Sequence, residues 1–486
     1  MRIFIGNGPW NRPGYYGVRA GSRWPHLETD CSPYMPFPFY MAYATALLQR
    51  EGFEVLTIDG IAERISEENF IERASSFKPD LAILEVSTPS METDLRQAQA
   101  IRSRSPETRL AFAGLHMLDQ GEDFLAGHRY VDFTLRGEYD YTALELAKTL
   151  SAGGNLDQVC GVSYFDEATG TSHHNTRREI IKDLDVLPWP SRDQYPMYSY
   201  HDLPGGIPAP SLQVWSSRGC PFRCIFCVWP QIMYQGNKYV TRNPVDVVDE
   251  VEYCVKRWGF RSFYFDDDTF NIGKKRLLKL GEEISKRNLG IPWAAMSRAD
   301  TCDKETLLEL KKSGLHAVKY GVESASQQLV DHADKSLDLN KVEEMVRYTQ
   351  EVGIRIHLTF SFGLPGETHE TAMKTIRWSQ KLNPDSIQYS IMTPFPGSRF
   401  YKELEAEGHL VTKDWSKFDG NSSSVVRTEA LTSQDLDYYL RKAYRSWEWH
   451  RVRRALTQPR FMKSVLRHPI QGVRNLHYGL RSAARA

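Results

Sequence analysis

This chain of 486 residues lacks most of the features that sort a protein at once. No run approaches the roughly 20 consecutive apolar residues that cross a bilayer. The apolar stretch at the N-terminus is too short for a secretion signal. Charge has no bias, with 61 Lys and Arg against 61 Asp and Glu, so no nucleic acid or other polyanionic partner is expected. The cysteines are few and odd in number, seven in all, which does not suit a secreted disulfide framework. Cys31, Cys160, Cys254 and Cys302 are scattered singles, read as packed thiols. No G-x-G-x-x-G follows the first strand, so a dinucleotide is not favoured. No Ser/His/Asp constellation stands out. These absences predict a cytoplasmic protein of two or three domains.

What is present is the run Arg218-Gly-Cys-Pro-Phe-Arg-Cys-Ile-Phe-Cys, which brings Cys220, Cys224 and Cys227 together. Thiolates this close in sequence serve an iron–sulfur cluster or a zinc ion. Structural zinc wants a fourth ligand at similar spacing, and the next candidates, Cys254 and His316, lie far along the chain. Three ligands leave one iron of a [4Fe–4S] cluster open.

Two stretches alternate strand and helix. The first has strands at Arg2–Ile5, Phe53–Ile58, Leu81–Val86, Leu110–Ala113 and Val131–Leu135. That pattern predicts a doubly wound parallel sheet over residues 1–150, with its ligand beyond the strands' carboxyl ends. The loops there hold Asn7 and Gly8, Ser87 and Thr88, Gly114 and His116, and Gly137 and Glu138. Residues 151–210 read as a connector with one hairpin. From Leu212 six strand–helix units run to about residue 400, which suits a partial TIM-type barrel with its chemistry at the C-terminal ends of the strands. Residues 401–486 form a C-terminal helical region, with Trp447 and Trp449 placed to close over a substrate. From His450 onward there is no acidic residue, whereas nine are basic, among them Arg451, Arg460, Lys463 and Arg485. That tail is a candidate for peripheral contact with anionic lipid.

The C-x3-C-x2-C spacing with Phe226 before the last cysteine resembles the signature of radical S-adenosylmethionine (SAM) enzymes. The N-terminal segment resembles the cobalamin-binding domain that precedes the barrel in one subfamily, which includes class B methyltransferases and magnesium-protoporphyrin ester cyclases. Pro36-Phe-Pro, Ser87-Thr-Pro-Ser, Ala113-Gly-Leu-His, Val131-Asp and Arg136-Gly-Glu carry that likeness. The D-x-H-x-x-G motif that gives cobalt a histidine elsewhere is missing, so His116 is assigned to the ligand's edge.

The resemblance implies three cofactors: a [4Fe–4S] cluster on Cys220, Cys224 and Cys227, SAM, and cobalamin. It places SAM against Phe226, Asp267, Asp268, Arg298, Glu323, Ser324, Gly363 and Pro365. It places cobalamin against Asn7, Gly8, Ser87, Thr88, Gly114, His116, Gly137 and Glu138. Arg19 and Arg23 are candidate anion contacts for substrate. In this family an electron from the cluster cleaves SAM to a 5′-deoxyadenosyl radical, and the electron comes from a flavodoxin- or ferredoxin-type donor. The implied function is methylation of an unactivated carbon of a small molecule or lipid precursor. Cyclisation, ring contraction or rearrangement without net methylation is the alternative.

Overall fold

The computed structural model describes residues 1–22, 24–30, 34–118, 123–420 and 424–457. Arg23, Cys31 and the tail beyond residue 457 lie outside the described residues.

Five parallel strands form the N-terminal sheet, in the spatial order Glu54–Asp59, Arg2–Asn7, Leu81–Glu85, Arg109–Ala113, Phe133–Leu135. Numbered along the chain this is 2-1-3-4-5, the flavodoxin-like order, whose ligand crevice opens between the first and third strands. The hairpin Val162–Asp166 and Thr171–His174 then adds two antiparallel strands beside Phe133–Leu135. The N-terminal sheet therefore runs on into the segment read as connector, because the hairpin pairs with the sheet edge.

Helix Phe39–Arg50 is apolar all round, and every residue from Phe39 to Leu48 is buried. A helix with no polar face must be covered on all sides. It lies between the two halves of the molecule, where Phe39 stacks on Trp215 at 4.2 Å. One hydrophobic core runs from Ile3 through this helix to Trp447.

The second sheet holds six parallel strands in chain order: Ser211–Val214, Ser262–Phe265, Trp293–Ser297, Leu315–Glu323, Arg355–Phe362 and Ser386–Ile391. Its first and last strands do not pair with each other, so the barrel is partial. Four of the helices between strands start at side chains that accept backbone N–H bonds, Asn243, Asp303, Asp338 and Thr368, as helix N-caps do.

One element was not legible in the sequence, and another does not do what the sequence reading expects of it. An antiparallel meander, Asn11–Arg12, Tyr15–Val18 and His26–Thr29, follows the first strand. The helix Ser433–Thr457 packs on the outer side of the barrel and does not cover its mouth: Tyr444 Oη donates to the carbonyl of Tyr389, and Trp447 is buried. Asp419 and Gly420, in the loop before it, are what reach the cavity described next.

Candidate active site

A cavity of about 240 Å³ opens in the barrel, and the three cysteines line it together with Phe226, Asp268, Arg298 and Glu323. The loop that carries them leaves the strand Ser217–Gly219, which pairs with Tyr239–Thr241. Gly219 has φ +87°, and a Cβ there would lie 2.2 Å from the carbonyl of Lys238. Only glycine lets the two strands pass so closely just before Cys220.

Tetrahedral zinc at Zn–S distances of about 2.3 Å would draw its thiolates to within about 4 Å of each other. Among the described residues the one trio of His, Cys or carboxylate ligand atoms within 4.8 Å of each other is Glu407, His409 and Glu429, on the surface. The three cysteine sulfurs do not all lie within 4.8 Å of one another, so the loop as it stands is not drawn in around a single ion. Burial pushes all three thiols up, Cys227 most strongly. Bare, they are thiols at neutral pH, and it takes bound metal to hold them as thiolates. Donor type, number and spacing thus fit a cluster with three protein ligands.

Around the cysteines the polar groups divide into those facing the cavity and those spent elsewhere. Glu323 faces it, with Lys335 Nζ 3.0 Å from Oε1 and Ser361 Oγ 3.1 Å from Oε2. Its backbone has φ +72° at a register shift in the sheet, a conformation that a non-glycine residue holds only when its surroundings enforce it. Lys335 was missed by the sequence reading. It sits between Asp334 and Ser336, at φ +50° and +49°. Asp268 accepts the N–H of Gly219 at 2.9 Å, and Thr269 Oγ1 lies 3.2 Å from Cys220 Sγ.

Arg298 lies on the cavity wall, but four of its five N–H bonds are committed. Two go to Asp300 at 2.9 and 2.8 Å and two to the carbonyls of Lys335 and Ser336. Its guanidinium stacks 3.4 Å from the Phe222 ring. It shapes the loop, and the expected pairing with a SAM carboxylate is not built into this arrangement.

Four expected SAM contacts do not line the cavity. Asp267 is fully buried and accepts from the N–H groups of Ser216 and Ser217 and from Ser216 Oγ. Ser324 is bound to Thr375 and to the N–H of Ser326. Gly363 and Pro365 are buried; the N–H of Gly363 donates to Glu367, and a Cβ there would meet Val426 and Leu436. In each case the residue lies on the loop the motif marks and is turned from the cavity.

The carboxyl edge of the N-terminal sheet is nearly closed. Arg19 fills the crevice between its first and third strands. It donates to Asn7, to the Gly8 carbonyl and to Ser90, and pairs with Asp94, with both charges buried. Arg19 is thus a structural cation and not the anion contact expected for substrate. Asn7 is held by Asp59 as well, and a Cβ on Gly8 would strike Gln97. Thr88 Oγ1 and His116 Nδ1 lie 3.0 Å apart, and the His116 ring meets Trp415 edge-on at 4.2 Å. Burial pulls His116 down to about 3, so its ring is neutral. Glu138 accepts from Arg218 and from the N–H of Ile181.

Ser87 and Gly114 line a cleft of about 20 Å³ with Arg19, Glu85, Tyr139 and Trp229. Gly137 has open space to 3.6 Å. Trp229 Nε1 is buried with no hydrogen-bond partner, an orphan donor of the kind a bound ligand satisfies. The donors suit the amide-rich rim of a corrin. The volume of the cleft as it stands does not. Ser22 and Pro25 line both this cleft and the barrel cavity.

Cysteine loop, partial barrel and flavodoxin-like sheet together define a radical SAM enzyme. Residues 216–379 match the radical SAM superfamily. An uncharacterized methyltransferase of Pyrococcus horikoshii is 29% identical over 412 residues, covering 84% of this chain and 87% of that protein. An anaerobic magnesium-protoporphyrin IX monomethyl ester cyclase of Rubrivivax gelatinosus is 27% identical over 401 residues, covering 81% and 69%. The structure of OxsB, a cobalamin-dependent SAM radical enzyme with aqua-cobalamin and SAM bound, superposes with a TM-score of 0.70 at 16% identity, covering 98% of this chain and 72% of that one. The fold of this chain, sheet and barrel together, is that of the cobalamin-dependent radical SAM enzymes. No helix among the described residues is long and apolar enough to cross a membrane.

Proposed function

We propose that the protein transfers a methyl group to an unactivated carbon of a small molecule or lipid precursor, with SAM, a [4Fe–4S] cluster and cobalamin. The observation that carries this reading is the meeting of the two cofactor regions. Two residues, Ser22 and Pro25, line both the cysteine-lined barrel cavity and the cleft at the sheet's carboxyl edge. A substrate at that junction has the barrel on one side and the sheet on the other.

Cys220, Cys224 and Cys227 would hold the cluster, and Trp229, Ser87 and the loops at Gly114 and Gly137 would hold the corrin. When bound, the cluster supplies the electron that cleaves SAM, and cobalamin supplies the methyl group. The chain's own work is placement. Glu323, fixed by Lys335 and Ser361, presents a carboxylate to the SAM ammonium. Asp268 braces the cysteine loop through Gly219. Trp24, against Phe226 at 6.2 Å and Phe395 at 5.7 Å, keeps water from the mouth. Each turnover would consume two SAM and two electrons: one SAM leaves as methionine and 5′-deoxyadenosine carrying the substrate's hydrogen, the other as S-adenosylhomocysteine after giving its methyl. A flavodoxin- or ferredoxin-type protein supplies both electrons, and the basic tail provides peripheral contact with anionic lipid. The second reading, rearrangement without net methylation, is favoured by the similarity to the cyclase.

An anaerobic reaction of the reconstituted protein with methyl-labelled SAM, reductant and cobalamin tests this. Label on cobalamin, with both deoxyadenosine and S-adenosylhomocysteine formed, is the expected result. Deoxyadenosine alone, from protein whose cobalamin never takes the label, overturns methyl transfer in favour of rearrangement.

A further inference from the structure

The barrel cavity extends past the cysteines to a second pair of charges that no step above uses. Lys319 projects from the strand Leu315–Glu323, and Asp202 comes from the connector beneath the barrel; Nζ and Oδ2 are 3.0 Å apart. Their side chains are 10% and 13% exposed, and both line the cavity. Among the described residues this contact is the one hydrogen bond of either side chain, and the Lys319 ammonium also lies 5.7 Å from the Tyr34 ring; two N–H donors on Lys319 and Oδ1 of Asp202 are left. Removing a pair of charges from water costs more than the pair returns unless further hydrogen bonds complete it. A pair tying connector to barrel would be equally well served by two apolar side chains. A pair with unused valences on a cavity wall is set to receive a ligand.

The surroundings specify which ligand. Thr359 and Gln388 lie side by side on the next two strands and face the same space, adding hydrogen-bond capacity without net charge. A polycyclic lipid or a tetrapyrrole would bury the Lys319–Asp202 pair against hydrocarbon and leave its valences unmet, the situation a polar site rejects most strongly.

We propose that the substrate is a small zwitterion of the amino-acid type, its carboxylate held by Lys319 and its ammonium by Asp202. The proposal rests on the reading of this cavity as the place where substrate meets the radical, and it selects between the small-molecule and lipid branches of that reading. Lys319 and Asp202 open toward the ligand's two charges and close on each other when it leaves, so that neither charge is ever buried alone.

Saturation-transfer NMR on the full-length protein, with a mixture of free α-, β- and γ-amino acids, tests this without cluster, reductant or turnover. Failure here is therefore distinct from failure of the methyl-transfer assay. Transfer to at least one amino acid is expected, with its methyl ester showing none. In Lys319→Met the dissociation constant should rise at least tenfold, and Lys319→Arg should restore part of the affinity. No transfer to any amino acid overturns the proposal. So do equal binding of the esters to the wild-type protein, which needs no variant, and unchanged affinity in a folded Lys319→Met protein.

Discussion

Arg218 grips Asp140 with both Nη atoms, at 2.9 and 3.1 Å, across 78 residues of sequence. Asp140 opens the helix Asp140–Ala152 at the carboxyl edge of the N-terminal sheet, and Arg218 stands two residues before the first cysteine of the barrel loop. Glu138 joins them at 3.0 Å, and all three side chains are at most 4% exposed. The guanidinium also lies over the rings of Tyr40 and Tyr43 at 4.9 and 4.7 Å. Sheet edge and cysteine loop are thereby one rigid piece. Arg218→Met removes the cation and leaves two carboxylates buried without it, a loss of about 3–5 kcal/mol. The denaturant midpoint should fall accordingly, and a variant within 1 kcal/mol of wild type, on the order of experimental scatter, would contradict this account.

The cysteines separate by role. Cys224→Ala should abolish both iron incorporation and SAM cleavage, read by iron content and by deoxyadenosine formation. Cys302 is partly buried, with its thiol pushed up to about 12 by burial, and no part of it reaches the cavity. Cys302→Ala should cost about 1 kcal/mol or less and leave SAM cleavage within twofold of wild type. Loss of iron from that variant would show that the thiol has been misjudged.

The contrast between Cys224 and Asp267 shows what a sequence discloses. The cysteines form a dense local cluster whose spacing is chemistry in itself, and alternating strands and helices are read from apolar periodicity. Both survive without knowledge of the three-dimensional contacts. Asp267 and Asp268 are adjacent and chemically equal in sequence, yet one is sealed against Ser216 and Ser217 and the other lines the cavity, because the bend after the strand Ser262–Phe265 turns them toward different partners. Arg19 read as a free cation, since Asp94, which neutralises it, comes 75 residues later. Lys335 and Lys319 carried no signal, being ordinary lysines until the barrel sets them opposite Glu323 and Asp202. The meander was missed because its strands have two to four residues, too few for a period to show.

Glu323 offers a test of the SAM site that spares the fold. Glu323→Gln keeps the shape, and its amide oxygen still accepts from Lys335, while the charge facing a SAM ammonium is lost. The dissociation constant for SAM should rise about tenfold, or about 1.4 kcal/mol, with the thermal midpoint little changed. Unaltered SAM affinity, measured by equilibrium dialysis on cluster-loaded protein, would remove Glu323 from the site.

Glu85 gives the structure a pH dependence of defined sign. Burial raises its carboxyl to about 7, although the Tyr139 hydroxyl donates to it. The folded chain therefore keeps a proton that the unfolded chain releases near the ordinary carboxylate value of about 4.3. Stability from this group is fully present below that value and is lost as pH rises through about 7. Glu367, raised to about 8 by burial in the same way, acts in the same direction further from the site. Glu85→Gln imitates the protonated form at every pH. The wild-type melting midpoint should fall between pH 5 and pH 8 by more than the variant's, the remaining slope reporting Glu367 and other groups. Identical slopes would mean that Glu85 is ionised in the fold, and the cleft beside Trp229 would then hold a negative charge.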